Sequence, residues 1–147
     1  MKKNAEFMEA AEQALFIFQM LEEAIKKHIR LFNKALNVAL RQSGLVYRIA
    51  DKEFESAALG RLTDVFARCT ENAATIKILR DVRDLRNYIA HESFMHERLA
   101  GLKESIDFDV EYPKAEKAKN AAAHAYSAVK NETQALQKII DGYAKDD

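Results

Sequence analysis

The chain has 147 residues and balances 23 basic against 23 acidic side chains, so it exerts no global pull on nucleic acid or anionic membrane, and any such contact must come from a local patch. Its single cysteine, Cys69, excludes an intrachain disulfide and a cysteine-rich metal site, and fits a reducing cytoplasmic setting. With 48% hydrophobic and 31% charged residues, one proline, four glycines and no sustained alternation of Val, Ile and Thr, the composition predicts one all-α domain over residues 1–147.

The N-terminal Met1-Lys-Lys-Asn-Ala-Glu-Phe gains charge too early for a secretory signal. No apolar run approaches the ~20 residues of a membrane span. Residues 5 to about 42 read as one long helix, with Phe7, Ala11, Ala14, Phe18, Leu21, Ile25, Ile29, Phe32, Leu36 and Ala39 on a stripe at 3–4 spacing. Such a helix spans roughly 55 Å at 1.5 Å per residue, long enough to allow a bend between Asn33 and Asn37. Gly44 is its expected stop. Phe16, Met20, Leu31 and Val38 form a second apolar set roughly opposite the first. A helix apolar on two sides is either central in a bundle or shared with another subunit.

Residues 45–55 form a connector with a short amphipathic piece. Ser56 is the expected cap of a second helix running to about Cys69, with Leu59, Leu62, Val65, Phe66 and Cys69 facing the core and Gly60 marking a close approach. Thr70, Glu71 and Asn72 mark a turn. A third helix follows from about residue 72 to 92, with a possible extension to Leu99 and a stop at Gly101. Residues 102–112 read as an acidic loop with Glu104, Asp107, Asp109 and Glu111. Pro113 suits the first position of a final helix to about Tyr143, whose buried stripe is Ala118, Ala122, Ala125, Val129, Leu136 and Ile140. The expected architecture is an up-and-down four-helix bundle, two helices long and two shorter, with an extra short helical piece in the connector.

The third helix carries the chemistry. Ile78, Val82, Leu85 and Ile89 share one stripe, while Arg80, Asp84, Asn87 and His91 fall on the other side. A guanidinium, an amide and an imidazole are thereby presented together. RNA cleavage through the substrate's own 2′-hydroxyl needs a proton acceptor near neutral pH, the range in which histidine titrates. It also needs a cation that matches phosphate oxygens, for which arginine supplies a permanent charge and a donor fork. Asn87 precedes His91 by four positions and is placed to hold the imidazole or the substrate. Arg86 precedes it by five, about 140° around an ideal helix. That offset is eased if His91 lies on an unwinding end or if each of two subunits supplies one member of the pair.

Arg86-Asn-Tyr-Ile-Ala-His91, an arginine four residues ahead of a histidine with a polar residue after the arginine, resembles the signature of the HEPN superfamily. The long first helix and the arginine-rich turn before the motif resemble that superfamily as well. The resemblance implies a HEPN-like helical bundle with metal-independent ribonuclease activity, no cofactor and a homodimer whose motif helices meet in a composite cleft. It assigns Arg86 and His91 as the catalytic pair and Asn87 as a positioning residue. Many relatives are toxins of toxin–antitoxin or phage-defence systems, and others bind nucleotides or partner nucleotidyltransferases without catalysis. The HepT-like branch often has a tyrosine two positions after the histidine, a target of its nucleotidyltransferase partner. Here Ser93 stands at that place, which puts adenylylation in doubt.

Around this pair, Arg80, Arg83 and Tyr88 are candidate RNA contacts, the tyrosine by stacking on a base. The competing reading makes Arg80 and Arg83, interleaved with Asp81 and Asp84, a solvated salt-bridged face, and turns Tyr88 into a helix–helix contact. His91, Glu92 and His96 lack the paired i, i+4 histidines of a helical metal site. His28, at the edge of the first stripe, reads as structural. The partners implied are RNA, a second copy of the chain, and an antitoxin or nucleotidyltransferase.

Overall fold

With no proline or glycine before Gly44, nothing interrupts the hydrogen-bond ladder of the first helix, and α1 runs unbroken over Lys2–Leu40. The structure, a computed structural model, describes residues 2–92 and 107–145, and every regular element among them is helical. No break occurs between Asn33 and Asn37. The Asn33 amide instead leaves the helix sideways, donating to the Ile49 carbonyl and accepting from the Ile49 N–H, both at 3.0 Å. It thereby ties the returning chain to α1. Gly44 takes φ +72° in the turn after the helix, a conformation that L side chains rarely adopt. The apolar stripe is buried from Phe7 to Ile29, beyond which Phe32 and Leu36 are half-buried and Ala39 is exposed.

The connector is pinned by Arg30, whose guanidinium donates twice to Glu55, at 2.8 and 2.7 Å. A short 3-10 turn, Asp51–Glu53, then delivers Phe54 fully into the core. Ser56 is consumed in this turn and does not cap the next helix. The second helix, α2, starts later and covers only Leu59–Phe66, with Ala58 at its cap and no side-chain bond there. Burying Phe54 outweighs a cap worth roughly 1 kcal/mol.

The third helix, α3 (Ala73–Asn87), begins at Asn72, whose side chain accepts from the Thr75 N–H at 3.2 Å. Glu132 reaches over this start and takes hydrogen bonds from Thr70 at 3.0 Å, from Asn72 and from Thr75. A π-turn, Tyr88–Glu92, continues α3. The expected extension to Leu99, the stop at Gly101 and the acidic residue Glu104 lie outside the described residues.

The last helix, α4 (Phe108–Lys145), starts ahead of Pro113 and not at it. Asp107 caps it, its side chain accepting from the Asp109 N–H at 3.0 Å. Pro113 therefore sits inside the helix and leaves the Asp109 carbonyl without its helical donor. The compensation is aromatic: Phe108 packs on Phe7 with ring centroids 5.6 Å apart, and Tyr112 joins the same cluster.

α1 and α4 are parallel. Lys3–Asp109, Gln13–Lys119 and His28–Thr133 pair at sequence separations of 106, 106 and 105. α3 runs antiparallel to α4, since Thr75 meets Glu132 while Tyr88 meets Glu111. The bundle is thus up–down–up in its three longer helices, a correction to strict four-helix alternation, which would set the first and last helices antiparallel. The reason is the eight-residue length of α2, too short to cross the bundle as a full leg. Small residues let α1 and α4 approach: Ala10, Ala11 and Ala14 on one side, Ala115, Ala118 and Ala122 on the other, all buried.

Candidate functional site

The buried side of α3 is Thr75, Leu79 and Val82, continued by Ile89, and it fixes which residues face out. Arg80, Arg83, Asp84, Asn87 and His91 are all exposed, as the spacing requires. On this face Lys77 pairs with Asp81 at 2.7 Å. Arg80, Arg83, Asp84, Asn87 and His91 make no ion pair or hydrogen bond among the described residues. Arg83 lies along α2 instead. An ideal Cβ on Gly60 would stand 3.2 Å from its Nε, so the close approach expected at Gly60 is made by this guanidinium.

Arg86 is placed differently from its neighbours. It lies at the edge between the exposed face and the core, and its Nε donates to Glu22 Oε1 of α1 at 3.1 Å. The pair is largely enclosed, with 23% of the arginine and 17% of the glutamate side chain exposed. The two Nη groups, which are the prongs of the fork, make no hydrogen bond among the described residues. Glu22 thus holds the guanidinium from behind by one donor and leaves four N–H bonds for an anion. Nothing in the sequence near Glu22 announces this role, because its partner lies 64 positions away.

His91 follows on the π-turn. An α-helix aligns residues four apart, whereas a π-turn closes i to i+5 and widens the helix by one residue. The turn therefore reduces the 140° offset that a regular helix would impose on Arg86 and His91. Asn87 is exposed on the turn before it.

Tyr88 is not available to stack on a base. It is only 9% exposed, its hydroxyl donates to Glu111, and Lys114 lies over its ring at 5.9 Å from the centroid. The helix–helix alternative is the one observed: Tyr88 fastens the end of α3 to the start of α4. Ser93 and His96 lie outside the described residues.

Comparison with protein-family models, with curated proteins and with solved structures finds no match to this chain. The chemistry of the site therefore stands on its own geometry.

Two further groups of reactive type, His28 and Cys69, are buried. His28 is 1% exposed, with Nδ1 at 3.0 Å from Thr133 Oγ1, Nε2 at 3.5 Å from the Cys69 carbonyl, and its ring packed on Phe66. A neutral ring carries one proton: either Nδ1–H donates to Thr133, whose hydroxyl donates on to the Val129 carbonyl at 3.0 Å, or Nε2–H donates to the Cys69 carbonyl and Nδ1 accepts from the Thr133 hydroxyl. Burial holds the ring below its ordinary pKa, against the smaller opposing effects of the Cys69 carbonyl and Glu132. Cys69 is buried as well, which pushes its thiol up to about 12. Among the described residues no helix is long and apolar enough to cross a membrane.

Proposed function

We propose that this chain is a HEPN-like, metal-independent endoribonuclease of a toxin or defence system, acting on RNA through Arg86 and His91 in a homodimer cleft. The observation that carries the reading is the guanidinium of Arg86, tethered through Nε with its fork uncommitted among the described residues, followed five residues later by an exposed histidine on a π-turn. Preorganisation of a charged donor is the usual source of transition-state stabilisation. A π-turn within a helix recurs at functional sites.

In the reaction, one imidazole takes the proton of the RNA 2′-hydroxyl, and that oxygen attacks the adjacent phosphorus. The P–O5′ bond breaks, the 5′-oxygen takes up a proton from an imidazolium, and the products carry a 2′,3′-cyclic phosphate and a 5′-hydroxyl. Arg86 neutralises the charge that builds on the non-bridging oxygens. Two copies of the motif facing each other provide one imidazole as base and the other as acid. Glu22 positions Arg86, and Asn87 orients substrate or ring. Arg80 and Arg83 add a basic approach for the phosphate backbone.

The test is cleavage of a labelled single-stranded RNA by the purified chain in EDTA. His91→Ala and Arg86→Ala should each abolish cleavage while the far-ultraviolet circular dichroism stays helical. A wild-type chain that cuts no RNA, or cuts it equally well with either substitution, refutes the proposal.

A second reading rests on the same ion pair. Because Glu22 holds Arg86 through Nε alone, the remaining donors of the guanidinium also suit binding without cleavage, of a nucleotide phosphate or of a nucleotidyltransferase or antitoxin partner. Calorimetric nucleotide binding that is lost in His91→Ala, without cleavage by the wild type, selects this reading.

A further inference from the structure

An apolar concavity lies away from Arg86 and His91. It is a groove of ≈ 570 Å³ between α1 and α4, floored by Phe16, Met20 and Ala24 and closed on the far side by Tyr126. It continues into a second trough of ≈ 400 Å³ floored by Leu31, the two sharing Lys27, Thr133 and Gln134. Phe16 is 61% exposed at one end. On α1, Phe16 and Met20 lie more than about 100° around the helix from Glu22, the residue that meets α3. The groove and the Arg86 site therefore occupy different faces of the molecule.

The spacing along the floor is informative. Phe16, Met20, Ala24 and Leu31 recur at 4-4-7, which keeps them on one side of α1 as a helix–helix seam does, with Lys27 beside them on the rim. From Phe16 to Lys34 the trough is roughly 27 Å long, about five helical turns. Among the described residues, Lys27, Lys34 and Lys130 on its rim form no ion pair, whereas Glu23 is engaged by Lys26 at 3.1 Å and Arg30 by Glu55. The rim is thus an apolar seam edged with free positive charge.

We propose that this groove docks an acidic amphipathic α-helix of a partner protein. The charges argue against the other occupants. A second copy would bring the same three lysines and one lining carboxylate, Glu23, already engaged by Lys26, so it leaves most of the rim charge unmatched. A single-stranded nucleic acid needs successive aromatic platforms, and the groove offers one open ring, Phe16, since Met20, Ala24 and Leu31 are aliphatic and the Tyr126 ring is capped by Lys130 at 5.4 Å. A helix with apolar anchors at i, i+3/i+4 and i+7 and glutamates on its flanks meets both the floor and the rim. The inference does not depend on the ribonuclease reading.

The test uses the full chain and two fluorescein-labelled helical peptides of about 18 residues with identical leucine anchors, one with glutamate flanks and one with lysine flanks. By fluorescence anisotropy the glutamate peptide should bind saturably and at least about ten-fold tighter than the lysine peptide. Phe16→Glu should weaken that binding by about ten-fold or more, and Lys27→Glu with Lys130→Glu should reverse the preference. These sites are exposed, and circular dichroism verifies that each variant folds. His91→Ala should bind as the wild type does, so failure of the nuclease proposal leaves this result standing. Equal affinity for both peptides, no saturation, or indifference to Phe16→Glu overturns the proposal. It is equally overturned if sedimentation shows a homodimer dissolved by Phe16→Glu, or if the lysine reversals abolish binding of a single-stranded RNA while neither peptide binds.

Discussion

Exchanging Glu22 for glutamine and Arg86 for methionine, singly and together, measures how firmly the end of α3 is held on α1. The two side chains meet at 3.1 Å and are mostly withdrawn from water, 23% and 17% exposed. Two unit charges about 4 Å apart attract by ~4 kcal/mol at an effective dielectric constant of ~20, and the cost of withdrawing both from water offsets much of it. A net coupling of about 1–2 kcal/mol remains, above the range of most exposed pairs. Glu22→Gln keeps an acceptor for the Arg86 Nε and should cost ~1 kcal/mol. Arg86→Met keeps the apolar stem but strands a half-buried carboxylate and should cost ~2 kcal/mol. With both changed nothing is stranded, and the double variant should be no less stable than Arg86→Met alone. Urea unfolding followed at 222 nm reads the cycle, and at a slope of ~2 kcal/mol/M the larger single effect moves the midpoint by ~1 M. Additivity within ~0.5 kcal/mol would show that the pair does not act as a unit and would remove the tether on which the role of Arg86 is argued.

His28 makes stability pH-dependent. Burial lowers its folded-state pKa from 6.5, so the unfolded chain takes up the proton first as pH falls. The stability that depends on a neutral ring is complete above about 6.5 and declines as pH drops from there toward the lower folded value. His28→Asn should flatten the slope of the urea midpoint between about pH 7 and 5.5, and an unchanged slope refutes this. Cys69, with its thiol pushed up to about 12 and buried, should react with a thiol reagent at pH 8 only through opening of the fold, so that denaturant accelerates labelling by orders of magnitude. Fast labelling in buffer alone contradicts its placement. Gly60→Ala should raise stability by about 0.5–1 kcal/mol, because the group it meets is the movable end of exposed Arg83. A loss of stability would show that the guanidinium is held firmly over α2.

The amino-acid order alone determined the helices and their inner faces. The stripes from Phe7 to Ile29 and from Ala118 to Val129 are buried as their 3–4 spacing requires, since one helix face must leave water whatever it meets, while further along the last helix Leu136 is half-buried and Ile140 buried. The same local rule placed Arg80, Asn87 and His91 outside and gave Asn72 and Gly44 their places at helix ends. Caps were less legible where burial competed. Ser56 lost its expected role to Phe54, and Pro113 was taken into α4 so that Phe108 could reach Phe7.

What only the tertiary structure decided is how distant segments meet. The parallel course of α1 and α4, the clasp of Tyr88 by Glu111, the hold of Glu132 on the start of α3 and the pairing of Glu22 with Arg86 all join residues far apart in the chain. Periodicity reports which side of a helix is apolar, because that depends on near neighbours in sequence. It carries no information on which other helix arrives at that side, and the fate of a charged group at the boundary is set entirely by what arrives.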